Sequence, residues 1–214
     1  MTMFAHEASY RGAGLMERLA ALKIVVCGAG ALGSHLADHL ARHGARQLTV
    51  IDDDRVEAHN IGTQLYDLSD VGAFKANQLR ARCFRATGAE IEAVAKRLTD
   101  QNAAKLLRGA GLVVDAFDNS ASRRLVTEHC LASGQPCLHL GMHTDYGEIR
   151  WNEVYRVPGD AAGGDVCDYP LARNLVVLTA ALGCEVILGF ARDGTRRNLS
   201  LTLGDLAVNH EDPA

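Results

Sequence analysis

The sequence predicts an α/β fold: a mostly parallel sheet with helices on both faces and an antiparallel C-terminal extension. Three observations carry this reading. Compact, largely apolar runs at residues 23–27, 48–51 and 112–116 have the pattern of strands buried on both faces. Helical patterns closed by glycine alternate with them, at 32–43 before Gly44, 71–87 before Gly88 and 121–132 before Gly134. Beyond residue 148 apolar and polar positions alternate, as they do in antiparallel strands.

Taken in order, residues 1–22 form a helical lead in which Leu15, Leu19 and Leu22 share one face. The strand at 23–27 ends in glycine and a helix follows it; the strand at 48–51 ends at Asp52. The helix at 71–87 leads to a third strand at 91–95, and Asp100 is the expected N-cap of a helix reaching residue 108. The strand at 112–116, the helix at 121–132 and a fifth strand at 137–140 complete the parallel part. Residues 148–157 and 198–203 are the antiparallel strands, with a long helix at 171–190 between them and a mobile glycine- and alanine-rich loop at 159–168. This gives one domain over 23–205 and a tail at 206–214.

A formal net charge of -4 over 214 residues provides no field to attract nucleic acid. The six scattered cysteines suit a reducing, cytoplasmic setting, and no CxxC pair announces zinc, so no structural zinc is expected. The N-terminal residues lack the apolar core of a signal peptide. Arg173, Asn174 and Glu185 interrupt the run at 171–190, which points to a buried helix and no membrane span.

Chemistry concentrates in three segments. Gly28, Gly30 and Gly33 form a GxGxxG loop between strand and helix, the Rossmann-like arrangement that turns backbone N–H groups and a helix dipole toward phosphate. Dehydrogenases, flavoproteins and methyltransferases use related loops. Asp52, at the end of the next strand, is placed to accept from ribose hydroxyls, whereas Asp53 and Asp54 also fit a helix-capping role. Lys75, in DVGAFKANQL, gives a cation for a triphosphate, although a lone lysine equally suits a solvated face. Asp118 and Asn119 follow the fourth strand, where a carboxylate can hold magnesium; Arg123 either braces that loop or touches phosphate.

In combination, GAGALG, IDxD, NxxxQ, GxxK and DNxxxR resemble the adenylating domain of the ThiF, MoeB and HesA family over residues 23–203. The resemblance implies that Asp52 binds ribose, Asn60 and Gln64 line the triphosphate pocket, Lys75 contacts phosphates and Asp118 carries Mg2+. Gly28, Gly30, Gly33, Asp54, Asn119 and Arg123 complete the implied cofactor-binding set. It further implies ATP-dependent adenylation of the C-terminal glycine of a ubiquitin-like or sulfur-carrier protein, by a homodimer in which an N-terminal arginine, here Arg11, reaches the partner's nucleotide.

The chain departs from the family pattern in three ways. Thr63 stands where the family has an arginine, so that Arg55, Arg11 or Arg123 substitutes, or adenylation is slow, or the chain binds nucleotide without catalysis. The CxxC pairs are missing, and no additional catalytic-cysteine or ubiquitin-fold domain is expected.

Cys167, in GGDVCDYP, is the candidate for thioester transfer after adenylation, at the start of the long helix where the dipole lowers a thiol pKa. An unreactive cysteine packed on Tyr169 and Pro170 is the alternative. Cys27, Cys130, Cys137 and Cys184 read as core. His139 and His143 either contact substrate at the sheet rim or are satisfied polar residues, and Trp151 and Tyr155 either meet the protein partner or belong to the core. Besides adenylation, an ATP-dependent tRNA-modifying activity on the same fold and a non-catalytic nucleotide-binding partner stay open. A nicotinamide oxidoreductase leaves Lys75 and DNSASR unexplained.

Overall fold

A computed structural model describes residues 3–159 and 170–211. Eight strands make one sheet: β1 (Ile24–Cys27), β2 (Leu48–Ile51), β3 (Glu92–Val94), β4 (Leu112–Asp115), β5 (Cys137–His143), β6 (Tyr146–Trp151), β7 (Asn198–Thr202) and β8 (Val208–Glu211). Their order is β3-β2-β1-β4-β5-β6-β7-β8. The first five are parallel neighbours, and β5 through β8 are paired antiparallel, as the change of pattern near residue 148 predicts.

Strand β1 shows why the parallel part is apolar at every position. Ile24 and Val26 join a core roofed by Leu36 and Leu40 of α3 (Ala31–Arg42), Leu79 of α4 (Lys75–Thr87) and Ile187 of α7 (Arg173–Asp193). Val25 and Cys27 point to the opposite face, toward a second core containing Ala103 of α5 (Asp100–Leu106) and Val126 and Cys130 of α6 (Ser120–Ser133). Successive side chains of a strand face opposite sides, so a strand covered by helices on both faces has no polar position to spare.

The lead folds as two helices, α1 (Ala5–Arg11) and α2 (Ala13–Ala21), and Leu15 and Leu19 are its buried residues. Among the described residues α7 is long and apolar enough to cross a membrane, but more than half of its apolar window is buried inside the fold, packed on α3, α2, β5 and β6. It is a core helix, as its three polar residues suggest.

Several elements differ from the expectation; the strand expected at 148–157 runs Tyr146–Trp151, and the one expected at 137–140 runs on to His143 to pair with it. Helix α4 starts at Lys75, four residues later than residue 71, because Gly72 takes φ 89° after a 3-10 turn at Leu68–Asp70. Thr99, one residue before Asp100, is the N-cap of α5, its N–H donating to Asn102 Oδ1 at 2.9 Å. Strand β8 lies in the segment read as tail and pairs with β7; its exposed valine, asparagine and histidine give no alternating signal.

Candidate active site

Strand β1 lies between β2 and β4, so the chain leaves β1 toward one side of the sheet and β4 toward the other. The loops after their carboxyl ends diverge and open a crevice, the place where α/β sheets receive ligands.

The three glycines of the loop after β1 have different parts in it. A Cβ on Gly33 would stand 1.9 Å from Gly28 O, and one on Gly28 2.9 Å from Ala116 O, so both permit close backbone packing. Gly30 has no protein atom within 4 Å of that position. It fronts the crevice, directly before the N-terminus of α3, where a phosphate gains backbone N–H donors and the positive end of the helix dipole.

Asp52 is buried at the end of β2 and ties this loop down: Ala29 N donates to its Oδ2 at 2.7 Å and Asp54 N to its Oδ1 at 2.8 Å. Burial pushes its carboxyl up to about 6, against the opposing pull of the two N–H donors and the Lys75 charge. Lys75, buried at the first position of α4, sets its Nζ 3.0 Å from Asp54 Oδ2. Tyr66 OH donates to Ala29 O at 2.6 Å and so links the glycine loop to the segment after β2. Tyr66 lies two residues past Gln64 of the NxxxQ motif, and nothing in the sequence pattern marks it for this role.

That segment clasps the start of α3. Leu65 N donates to Ser34 Oγ at 3.1 Å and His35 Nε2 to Thr63 O at 3.1 Å. Asn60, expected to line the pocket, is buried and accepts from Glu57 N at 2.9 Å, shaping the turn. Gln64 Oε1 is buried with no hydrogen-bond partner among the described residues.

Across the crevice, Asp118 is exposed three residues beyond β4 and accepts from Asn119 Nδ2 at 3.4 Å. Asn119 is the N-cap of α6, its Oδ1 accepting from Ser122 N at 2.9 Å. No group of three or more metal-ligating side chains occurs among the described residues. A lone carboxylate at this edge still suits magnesium, which commonly takes one or two carboxylates and completes its shell with phosphates and water.

Several expected residues lie elsewhere. Arg123 is buried beneath the crevice: it donates to Tyr155 OH and Leu140 O, both at 2.8 Å, and sits 3.6 Å from Asp115 Oδ2. These contacts match the bracing role and leave no donor shown toward phosphate. His139 does not stand on the rim. It is fully buried between Asp115 Oδ2 at 2.8 Å and Asn152 Oδ1 at 2.7 Å, and stacks on Tyr155 at 3.8 Å. Asn152 Nδ2 donates to Thr127 O, which turns the amide oxygen to the imidazole. Trp151 and Tyr155 are 1% and 4% exposed, which places them in the core and removes them from any partner surface. His143 is exposed at the end of β5. Cys167 lies outside the described residues. Sequence reasoning missed the Asp115–His139–Arg123 group because its members fall in three separate elements; a charged residue inside an apolar strand run was the available signal.

The ThiF family profile matches residues 5–161. Among curated proteins, the chain is 37% identical over 136 residues to the sulfur carrier protein adenylyltransferase of Thermus thermophilus, covering 62% of this chain and 50% of that protein. It is 32% identical over 176 residues to the SAMP-activating enzyme E1 of Haloferax volcanii, covering 78% of this chain and 65% of that one. The chain thus spans between half and two thirds of the length of these two relatives. Among solved structures, E. coli MccB in complex with ATP superposes with a TM-score of 0.83 at 16% identity, over 100% of this chain and 72% of MccB. With a family match over residues 5–161 and the fold and crevice described above, the chain belongs to the ThiF family.

Proposed function

We propose that this chain binds ATP·Mg across the carboxyl ends of β1 and β4 and adenylates the C-terminal glycine carboxylate of a ubiquitin-like or sulfur-carrier protein. The observation that carries the reading is the convergence on one crevice of an open glycine loop, a buried aspartate held by that loop, a buried lysine and an exposed aspartate. The printed names of the two relatives, an adenylyltransferase and an activating enzyme, support it.

Asp52 accepts from ribose, the backbone around Gly30 receives phosphate, and Lys75 faces the phosphate chain. Asp118 would hold Mg2+, which neutralises phosphate charge when bound. The substrate carboxylate attacks the α-phosphorus; an oxygen–phosphorus bond forms, the bond to the β-phosphate oxygen breaks and pyrophosphate leaves. No general base is required, since a carboxylate is ionised at neutral pH. Transfer of the acyl group to Cys167, assembly as a homodimer and a cytoplasmic setting belong to the same reading.

Isotope exchange between pyrophosphate and ATP, driven by a panel of proteins ending in diglycine, tests it. Exchange with one of them supports adenylation. Binding of NAD or NADP in place of ATP refutes it. A second reading, a nucleotide-binding partner without catalysis, draws on Thr63 and predicts ATP binding with no exchange for any panel member.

A further inference from the structure

The crevice is short of positive charge. Its described side chains include three carboxylates, Asp52, Asp54 and Asp118, against Lys75, which is already paired to Asp54. A triphosphate brings several more negative charges, and one magnesium ion does not offset them all. Thr63 contributes none. The other arginines considered from the sequence are engaged: Arg55 donates to Gly72 O at 2.6 Å and lies 4.0 Å over the Phe74 ring, Arg11 pairs with Glu7 and Glu185 at 2.5 Å each, and Arg123 is buried against Asp115.

Arg173 differs from them. It is exposed at the first position of α7, and its Nη1 donates to Gly62 O at 3.4 Å, the guanidinium's one hydrogen bond shown among the described residues. Space beside Gly62 is open, with no protein atom within 4 Å of where its Cβ would stand. Gly62 adjoins Thr63, whose carbonyl accepts from His35 of α3, and Ser34 beside it accepts from Leu65. His35 registers the arginine: its imidazole is held below the ordinary value first by burial and in part by the Arg173 charge. Arg173 therefore stands at the end of α3 that the glycine loop opens. A cation in the first turn of a helix opposes the helix dipole, so this placement is unfavourable until an anion arrives.

We propose that Arg173 binds the outer phosphates of the nucleotide from the side of the crevice opposite Asp118, supplying at the NIGTQ segment the cation that Thr63 does not. The inference rests on the adenylation reading. Guanidinium suits the task because its planar fork meets two phosphate oxygens at once.

Calorimetric titration of the full chain with ATP·Mg and, separately, with AMP tests this, because AMP lacks the outer phosphates. Arg173→Gln is expected to weaken ATP binding about 10- to 100-fold, the loss of one charge-assisted hydrogen-bonded contact, while AMP binding is unchanged. Thr63→Arg added to Arg173→Gln is expected to recover ATP affinity. ATP affinity in Arg173→Gln within about twofold of the parent, or equal losses for ATP and AMP, overturns the proposal while leaving adenylation standing. Failure of the parent chain to bind either nucleotide overturns both readings together.

Discussion

Lys75 Nζ lies 3.0 Å from Asp54 Oδ2, and the two side chains are unequally exposed, at 8% for the lysine and 66% for the aspartate. The lysine is enclosed at the base of the crevice and the aspartate holds it from the solvent side. Because the ammonium is in place before nucleotide arrives, its reorganisation cost on binding is small. Lys75→Ala is expected to lower pyrophosphate exchange about 10²- to 10³-fold, the usual loss for one transition-state contact of this kind. Asp54→Asn, which still accepts a hydrogen bond, is expected to lose far less. Equal losses in the two variants would assign Asp54 a direct contact with nucleotide.

Gly30 and Gly33 are three residues apart and predicted to fail differently. Alanine at Gly33 places a Cβ 1.9 Å from Gly28 O, a backbone atom that cannot yield without moving the loop. Gly33→Ala should therefore destabilise the fold by about 1–3 kcal/mol or more in urea unfolding. Gly30→Ala meets no protein atom within 4 Å. Its unfolding midpoint should stay near the parent's, with ATP affinity reduced because the methyl group would occupy the space that the proposed function gives to phosphate.

Asp115 is fully buried between two side-chain partners, the Arg123 guanidinium at 3.6 Å and the His139 imidazole at 2.8 Å. Removing one partner of a buried charge pair leaves the other uncompensated, typically at a cost of about 3–5 kcal/mol. Arg123→Ala should show that loss in urea unfolding. Where it folds, its ATP affinity should lie close to the parent's, because the guanidinium is turned to Tyr155 and Leu140. A large affinity loss without destabilisation would return Arg123 to the phosphate-binding role.

The crevice was legible in the sequence to the extent that it is built from local signals. An apolar strand ending in GAGALG fixes strand, loop and helix together, and Asp52 falls at the strand end that the apolar pattern marks, whereas Lys75 opens a helix whose start the pattern puts at residue 71. What escaped depends on the third dimension. Asp115, His139 and Arg123 come from β4, β5 and α6 and meet only through strand pairing. Arg173 reaches Gly62 across 111 residues. Trp151 fits an exposed strand face as well as a buried one by alternation alone; which face is covered depends on where α7 packs. The start of α4 was misplaced because Gly72 and the turn before it have the composition of a helix lead but not its dihedrals.

Asp52 supplies the pH dependence. Its carboxyl is pushed up to about 6, first by burial, so below that pH it is mainly protonated. In the proposed site the ionised form would accept from the ribose hydroxyls, whereas the protonated form would offer one good acceptor and a competing donor. ATP affinity should therefore rise as pH increases from about 5 to about 7, with a midpoint near 6 that shifts downward if bound ribose favours the charged form. Asp52→Asn should bind ATP more weakly at every pH and show no inflection in this range. AMP should follow the same curve, since it carries the same ribose; an inflection seen with ATP and not with AMP would trace the titration to the outer phosphates and away from Asp52.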